Sequence, residues 1–207
     1  LKLIFLYNIA CIKKHCIFWK GVIHIMKLVC KKANLLNGVQ IVSKAVPSKT
    51  TMPILECILV DASLNEIKLT ANDMDLGIET IIEGDIVERG IIAIDAKIFL
   101  EIVRKLPDND VTIETDSNLN VFITCEKANF NIVGKSGDDF SYLPVIEREN
   151  PVILTQFTLK EMIRQTIFAV AVNDSTKVVH TGIKFEITQG NIRLIALDGF
   201  RLAIRNE

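Results

Sequence analysis

The sequence has few of the residues on which catalytic and metal centres usually depend. Three of its 207 residues are histidines, and His180 is the sole histidine after residue 25. No second histidine, suitably spaced acid or nucleophile elbow accompanies it, so triad chemistry has no support. The five cysteines lack the two matched close pairs of a zinc site, and we interpret them as reduced thiols. They are Cys11, Cys16, Cys30, Cys57 and Cys125.

Aromatic residues and excess charge are also scarce. Aromatic residues form 6% of the chain, and the formal net charge is −1. The chain therefore lacks the aromatic series that stacks on single-stranded nucleic acid, and its charge gives no support to an ordinary nucleic-acid-binding protein. Hydrophobic residues make up 49% of the chain, and most are aliphatic. This composition suits β-rich layers packed on helices.

Residues 1–25 differ from the rest because they contain four lysines and no acidic residue. Their apolar run, residues 3–12, is shorter than the roughly 20 residues that span a bilayer. Met26, followed by Lys27 and Leu28, is typical of the first residue of a translated protein. We expect residues 1–25 to be upstream sequence added by a wrong start site. The alternative is a targeting segment, including an exported lipoprotein that carries lipid on Cys11.

The main feature present is an internal repeat. Residues 67–78 and residues 192–204 share a pattern that begins 125 residues apart, with Asp73 matching Asp198. We expect one extra residue in the second copy after the shared aspartate, so that Ile78 matches Ile204. The period is far longer than the roughly 20–50 residues of a solenoid unit and predicts a duplicated domain.

The two copies predict a domain at residues 26–147 and a second at residues 148–207. The first copy continues well beyond its repeat, whereas the second stops three residues after Ile204. We therefore expect the second domain to be truncated and the chain to be a piece of a longer protein.

Hydrophobic periodicity predicts an α+β fold with antiparallel strands. In the first domain it predicts helices at residues 33–46 and 96–106 among strands at 26–31, 54–61, 67–71, 77–83, 90–94, 111–115, 121–125 and 129–133. Asp95 is the expected N-cap of the second helix. The expected core face of that helix comprises Ile98, Phe99, Ile102, Val103 and Leu106.

The second domain is predicted to open with residues 152–157, and the helix that follows is predicted to continue to about residue 171. Thr158 and Glu161 match the Thr-x-x-Glu capping box that begins many helices. Strands are predicted at residues 182–188 and 192–196, which places the second copy of the repeat on a strand and the turn that follows it.

Two short motifs have a chemical interpretation beside a structural one. Asp73 and Asp75 could bind a metal ion, but two carboxylates alone are weak support, and we predict that Asp73 closes a turn. An enzyme that uses Asp73, Asp75 and His180 as acid–base groups remains an alternative. Residues 134–136, Gly-Lys-Ser, resemble the end of a phosphate-binding loop, but Asn129 replaces the required glycine and predicted strands surround the motif.

The polar faces of the predicted helices are mostly basic. They display Lys44 on the first helix, Lys97, Arg104 and Lys105 on the second, and Lys160 and Arg164 on the third. If the copies lie side by side, these charges add on one surface. Such a surface would contact phosphates without reading bases.

Five motifs together resemble the bacterial sliding clamp family, the β subunit of DNA polymerase III, from Met26 to Glu207. They are Ser43-Lys44-Ala45-Val46, Thr51-Met52-Pro53-Ile54-Leu55, Leu69-Thr70-Ala71-Asn72-Asp73, Val103-Arg104-Lys105-Leu106-Pro107 and Asp198-Gly199-Phe200-Arg201-Leu202-Ala203. The resemblance implies duplicated clamp domains, each with an antiparallel sheet outside and two helices facing a central DNA hole. It also implies three domains in the full-length subunit and a head-to-tail homodimer closed into a ring.

The same resemblance implies a processivity factor and not an enzyme. The ring encircles double-stranded DNA without sequence preference and needs no cofactor or metal ion. Its implied partners are the catalytic subunit of DNA polymerase III, the clamp loader, and other clamp-binding polymerases and repair proteins. The implied location is cytoplasmic, with no membrane association.

Site residues follow from the resemblance position by position. The DNA-contacting positions are Lys49, Lys97 and the loop 173–179 with Asp174, Lys177, Val178 and Val179. The partner-peptide pocket comprises His180, Leu197, Gly199, Phe200, Arg201 and Leu202. The first-domain side of the dimer interface comprises Ile98, Ile102, Phe130 and Ile132.

Overall fold

The computed structural model describes residues 26–141, 143, 152–172, 178–188 and 190–207. The chain divides into two compact units, residues 1–145 and residues 146–207, and each is described by itself. Every strand pair among the described residues is antiparallel, as the alternating pattern predicts.

The described part of the first unit contains two five-stranded sheets and two α-helices. One sheet has the order β5-β1-β7-β8-β9 and the other β10-β6-β2-β3-β4. The strands are β1 Lys27–Lys31, β2 Cys57–Asp61, β3 Ile67–Asn72, β4 Gly77–Ile82, β5 Asp85–Glu88, β6 Ile91–Asp95, β7 Asp110–Thr115, β8 Asn120–Cys125, β9 Ala128–Val133 and β10 Lys135–Ser136. The helices are α1 Lys32–Val42 and α2 Ala96–Lys105.

One main core joins these elements. α1 packs against α2, β3 and β4, and α2 packs against β6. Leu35, Leu69, Phe99 and Ile113 are fully buried in this core. Gly38 allows the close approach of α1, because a Cβ atom there would lie 2.5 Å from Ile82 Cγ2 and 2.9 Å from Leu69 Cδ1. The helix therefore depends on a glycine where it crosses the sheet.

α2 begins where the sequence predicts, but its buried face contains fewer residues than predicted. The Asp95 side chain accepts a hydrogen bond of 2.9 Å from the Ile98 N–H, which confirms the N-cap. Phe99, Ile102, Val103 and Leu106 are buried. Ile98 is 48% exposed, so the expectation that it belongs to the core face is wrong. Successive helical residues point about 100° apart, so Ile98 lies beside the face that Phe99 occupies.

Two boundaries and the number of strands in the first unit differ from prediction. The predicted strand 54–61 begins with a 3₁₀ turn, Pro53–Glu56, because a proline lacks an N–H and starts a helical turn readily. α1 ends at Val42 and continues as the 3₁₀ turn Ser43–Ala45, where Ser43 Oγ donates to the Val39 carbonyl. Strand β5 was not predicted, and it pairs with β1 at the edge of its sheet.

The second unit contains one described α-helix, α3 Gln156–Thr166, and a three-stranded sheet β11-β12-β13. The strands are β11 Lys184–Thr188, β12 Asn191–Leu197 and β13 Leu202–Asn206, and the 3₁₀ turns are Ile167–Ala169 and Val178–Thr181. α3 packs on β12 and β13 and buries Met162 against Leu194.

The start and end of α3 correct the prediction. The N-cap is Thr155, whose side-chain oxygen accepts from the Thr158 N–H at 3.0 Å. The Thr158–Glu161 capping box is therefore wrong. Glu161 binds Arg164 one turn ahead instead, at 2.7 Å. The helix ends at Thr166 rather than near residue 171, and a 3₁₀ turn follows.

The two copies of the repeat form hairpins whose turns have equal length. β3 and β4 pair Asn72 with Gly77 around the turn, and β12 and β13 pair Leu197 with Leu202. Matching residues of the two copies are thus 125 apart both before and after the turn. The prediction of an extra residue in the second copy is wrong. Ile78 corresponds to Ala203, because Ala71 pairs with Ile78 and Ala196 pairs with Ala203.

Candidate functional site

A shared aspartate organises the turn at residues 198–201. Asp198 Oδ1 accepts hydrogen bonds from the N–H groups of Phe200 and Arg201 at 3.0 and 3.1 Å. Asp198 Oδ2 accepts from Arg201 Nε at 2.8 Å. The Phe200 N–H, with the N–H and guanidinium of Arg201, holds the pKa of Asp198 below its usual value. The turn therefore fixes the Arg201 side chain beside its own aspartate.

The strand ends beside this turn display an apolar surface. Phe200 is 99% exposed and Leu202 is 61% exposed. Leu197 pairs with Leu202, and Ile195 pairs with Ile204, so these four residues share the face of the sheet opposite α3. We call Ile195, Leu197, Phe200, Leu202 and Ile204 the hairpin surface. A contiguous exposed apolar surface beside a fixed cation has the properties of a peptide-binding site.

The segment that carries His180 is tied to the same end of the unit. The His180 carbonyl accepts a hydrogen bond from the Ala171 N–H at 2.9 Å, just after the 3₁₀ turn that ends at Ala169. Ala169 packs with Ala196 and Ala203 under the hairpin end. The backbone of His180 is thus bonded to residue 171, two residues after the alanine that packs on β12 and β13.

The first copy of the turn confirms the structural role predicted for Asp73. Asp73 Oδ1 accepts from the N–H groups of Leu76 and Asp75 at 2.6 and 3.0 Å. These bonds lower the pKa of Asp73, with the Leu76 N–H as the largest cause. The carboxylate stays ionised and engaged near neutral pH, which disfavours an acid–base role.

The strand ends beside the first turn are covered by the chain itself. Asn72 Nδ2 donates to the Ser141 carbonyl at 2.7 Å. Leu143 packs on Gly77 so closely that a Cβ atom at residue 77 would overlap its side chain. Phe140 is buried on the same sheet in a cluster with Cys57, Leu59 and Ala93. The first copy of the hairpin thus uses this face for folding.

The basic positions assigned by resemblance are exposed where the structure describes them. Lys49 follows the 3₁₀ turn after α1, and Lys97 lies in the first turn of α2. Val179 is 89% exposed, whereas only the backbone of Val178 is described. Asp174 and Lys177 lie outside the described residues.

The residues assigned to a dimer interface lie on α2 and β9. Ile98 is exposed and Ile102 is almost fully buried. Phe130 and Ile132 are half-buried against the main core. β9 is the last strand of its sheet in the part of the chain that the structure describes, so its outer backbone groups are available for pairing.

The described cysteines are weak nucleophiles. Cys30, Cys57 and Cys125 are buried and free of disulfides. Burial raises the pKa of Cys30 to about 12 and also raises the pKa of Cys57 and Cys125. Among the described residues, no three His, Cys, Asp or Glu side chains lie together as metal ligands. None of the described helices has the length and apolar character needed to cross a membrane.

Sequence reasoning missed two parts of these surfaces. Ile195 and Ile204 extend the hairpin surface. Apolar residues alternate along β12 and β13, and this pattern indicates the two residues once the pairing of the strands is known. Lys44 and Arg104 line one groove between α1 and α2, whereas the sequence predicted both residues on basic helix faces but not the groove that they share.

Family models match both units in chain order. Residues 26–144 match the DNA polymerase III beta subunit, N-terminal domain, and residues 153–207 match its central domain. The chain belongs to the DNA polymerase III beta subunit family. The described antiparallel sheets and helices are those of the clamp fold, which its structural neighbours share.

Named relatives agree with this membership. The beta sliding clamp of Synechocystis sp. is 39% identical over 188 residues, covering 86% of this chain and 48% of the relative. A putative DNA polymerase III beta subunit from Eubacterium rectale is 68% identical with a TM-score of 0.83, over 88% of this chain and 50% of that one. The Bacillus subtilis sliding clamp structure is 37% identical with a TM-score of 0.82, over 89% and 50%. The chain spans about half the length of the curated relatives it matches.

Proposed function

We propose that this chain is part of a sliding clamp that encircles duplex DNA as a ring and tethers the replicative polymerase to it. The clamp makes and breaks no bond. The observation that carries the proposal is the order of the two units, which match the N-terminal and central domains of the DNA polymerase III beta subunit. Cytoplasmic DNA replication is the process in which it acts.

A ring holds DNA by topology, so its contacts with DNA need only be weak and independent of sequence. The proposed contacts are Lys49, Lys97 and the 173–179 loop with Asp174, Lys177, Val178 and Val179. A net charge of −1 agrees with this, because attraction is confined to local basic positions. Phosphate contacts of this kind allow the ring to slide.

The hairpin surface, with Arg201 and His180, is the proposed docking site for partner peptides. Exposed Leu197, Phe200 and Leu202 suit a short peptide with hydrophobic anchors, and Arg201 suits a carboxylate or carbonyl of that peptide. The expected partners are the catalytic subunit of DNA polymerase III, the clamp loader, and other clamp-binding polymerases and repair proteins.

Ring closure is proposed to use α2 and β9 of the first unit. Ile98 is exposed on α2, Phe130 and Ile132 lie on β9, and the outer edge of β9 has no partner among the described strands. Ile102, on the same helix as Ile98, is almost fully buried. A homodimer that closes head to tail would cover both features.

Retention on DNA tests the ring. The protein expressed from its native gene is loaded by its clamp loader onto nicked circular DNA and freed of unbound protein by gel filtration. The circle is then cut once with a restriction enzyme. We expect the protein to stay on the circle and to leave the linear product. Equal retention on both forms would contradict a topological link.

A further inference from the structure

The two oxygens of the Asp198 carboxylate have different tasks. Oδ1 accepts hydrogen bonds from the backbone N–H groups of Phe200 and Arg201, at 3.0 and 3.1 Å. Oδ2 accepts from the side chain of Arg201, whose Nε lies 2.8 Å away. One oxygen therefore closes the turn, and the other holds a guanidinium that belongs to the proposed docking site.

The first copy of the turn shows that closing it requires only one of these oxygens. Asp73 uses Oδ1 for both of its bonds, from the N–H groups of Asp75 and Leu76. Leu76 occupies the position that matches Arg201, because Gly77 and Leu202 are the matching first residues of the following strands. A leucine side chain has no donor, so the turn forms without a bond from this position. The bond from Arg201 to Oδ2 is therefore not needed for the turn.

The ion pair leaves the guanidinium oriented, accessible and beside a negative charge. The Arg201 side chain is 55% exposed and the Asp198 side chain 14% exposed. Nε is engaged by Asp198, whereas the terminal N–H groups donate to no residue in the described ranges. These terminal groups are the donors that a partner can use.

The other strong cations on this face of the sheet also lie beside an acid. Lys184 pairs with Ile195 across the strands, and Arg193 lies two residues before Ile195, so both share the face of the hairpin surface. Both contact Glu186, at 2.6 and 3.7 Å. Along β11, β12, β13 and the 198–201 turn, each lysine or arginine on this face thus has an acidic neighbour.

We propose that Asp198 is a specificity-determining residue: it orients Arg201 and offsets its charge, so that the docking site takes a neutral acceptor of the partner peptide, an amide or a backbone carbonyl, in preference to a carboxylate. The inference rests on the proposed docking function of the hairpin surface and narrows the chemistry of its partner. A carboxylate that reached Arg201 would also approach the carboxylate of Asp198, and the two negative charges would repel each other. A neutral carbonyl accepts from the guanidinium without that repulsion.

Asp198→Asn separates the two tasks. Asparagine keeps one oxygen as an acceptor for the backbone N–H groups, but it puts an N–H₂ group where Oδ2 accepts from Arg201. Asp73→Asn is the matched control, because it removes the same charge from the first turn. Fluorescence polarisation measures the affinity of a labelled peptide from the DNA polymerase III catalytic subunit for the protein expressed from its native gene. Arg201→Ala, alone and combined with Asp198→Asn, completes a double-mutant cycle.

The effect of Asp198 on affinity should depend on Arg201. We expect Asp198→Asn to weaken binding about 3- to 10-fold, because a long side chain must then be ordered when the peptide binds. The same change should have no effect when residue 201 is alanine, and Asp73→Asn should bind like wild type. An unchanged affinity in Asp198→Asn, or an equal loss in both backgrounds, would overturn the proposal.

Charge preference gives a second readout, which a purely structural role in the turn does not alter. Each residue of the peptide is replaced in turn by glutamine and by glutamate, two side chains of nearly the same shape. In Asp198→Asn one position should favour glutamate by about 2- to 5-fold, the effect of an exposed ion pair, and the double variant should lose this preference. If wild-type protein already favours glutamate at a position and Arg201→Ala abolishes that preference, Arg201 acts as a free cation and the proposal is wrong. This last comparison does not depend on the stability of Asp198→Asn.

Leu202→Ala distinguishes failure of this inference from failure of the docking site. If wild-type protein binds the peptide and Leu202→Ala weakens binding, but Asp198→Asn changes neither affinity nor charge preference, only the role of Asp198 fails. If wild-type protein does not bind the peptide, the docking site and the role of Asp198 fail together.

Discussion

The turns at residues 73–76 and 198–201 have the same backbone and different surroundings. In each, an aspartate accepts hydrogen bonds from the N–H groups two and three residues ahead. In each, the residue after the aspartate has a positive φ, 79° at Met74 and 87° at Gly199. The turn conformation is therefore encoded by one acid and one left-handed position.

What differs is the chemistry at the strand ends. The first copy has Asn72 and Gly77, which bind the Ser141 carbonyl and receive Leu143. The second copy has Leu197 and Leu202, which are exposed in the described structure. The two copies of the hairpin therefore differ in the residue types at their strand ends, an asparagine and a glycine in the first and two leucines in the second. The aspartate-bonded turn is common to the two copies, whereas the strand ends beside it are not.

The comparison predicts its largest effect in peptide binding. Leu202→Ala should weaken binding of a peptide from the DNA polymerase III catalytic subunit by about 10- to 100-fold, because burying a leucine side chain contributes roughly 1.5–3 kcal/mol. Fluorescence polarisation of the labelled peptide measures the affinity. The matched control is Leu76→Ala in the first turn, which should leave affinity unchanged. Equal losses in the two variants would remove the distinction between the turns.

The helices that cover the hairpins offer a second contrast. Gly38 and Met162 occupy the same position in two 11-residue helices, and both are buried. Gly38→Ala should lower the free energy of unfolding by about 1–3 kcal/mol, because its Cβ would crowd Ile82 and Leu69. Helix propensity alone predicts a gain of about 1 kcal/mol, so the sign separates packing from propensity.

Urea denaturation followed by circular dichroism gives that free energy. Met162→Ala is the counterpart in the second unit. It should lower the free energy of unfolding by roughly 2–5 kcal/mol, because it leaves a cavity in the small core around Leu194. A Gly38→Ala variant as stable as wild type would show that α1 can move away from β3 and β4 without cost.

Most of the fold could be predicted from local patterns. The strands β7, β8 and β9 alternate in burial, and Asp95 caps α2 at the predicted residue. Strand β5 could not be predicted, because it is short, bears acids at both ends and depends on a distant partner, β1. The cap of α3 was missed because two threonines lie three residues apart, and pattern alone does not choose between them.

The match between the second strands of the two hairpins was predicted wrongly. Matching Ile204 to Ile78 aligned two isoleucines but required an extra residue in the second turn. A shift of one residue in a strand moves each side chain to the opposite face. The observed pairing puts Ile78 on the core side with Ala71 and puts Ile204 beside Ile195 on the hairpin surface. The resemblance identified Leu197, Phe200 and Leu202, but only the register reveals how far the apolar surface extends.

The smallest predicted effect lies in the turn backbone itself. Met74 adopts a left-handed conformation that costs an L-residue roughly 1–2 kcal/mol, whereas glycine adopts it freely. Met74→Gly should therefore raise the stability of the first turn by about 0.5–1 kcal/mol, after the entropy that glycine loses on folding. Gly199→Met should lower the stability of the second turn by a similar amount, since nothing lies within 4 Å of a Cβ there. Hydrogen exchange at residues 73–77 and 198–202, read by mass spectrometry, assigns each change to its own turn. If both variants changed the stability of their turns in the same direction, the two turns would not share one backbone conformation.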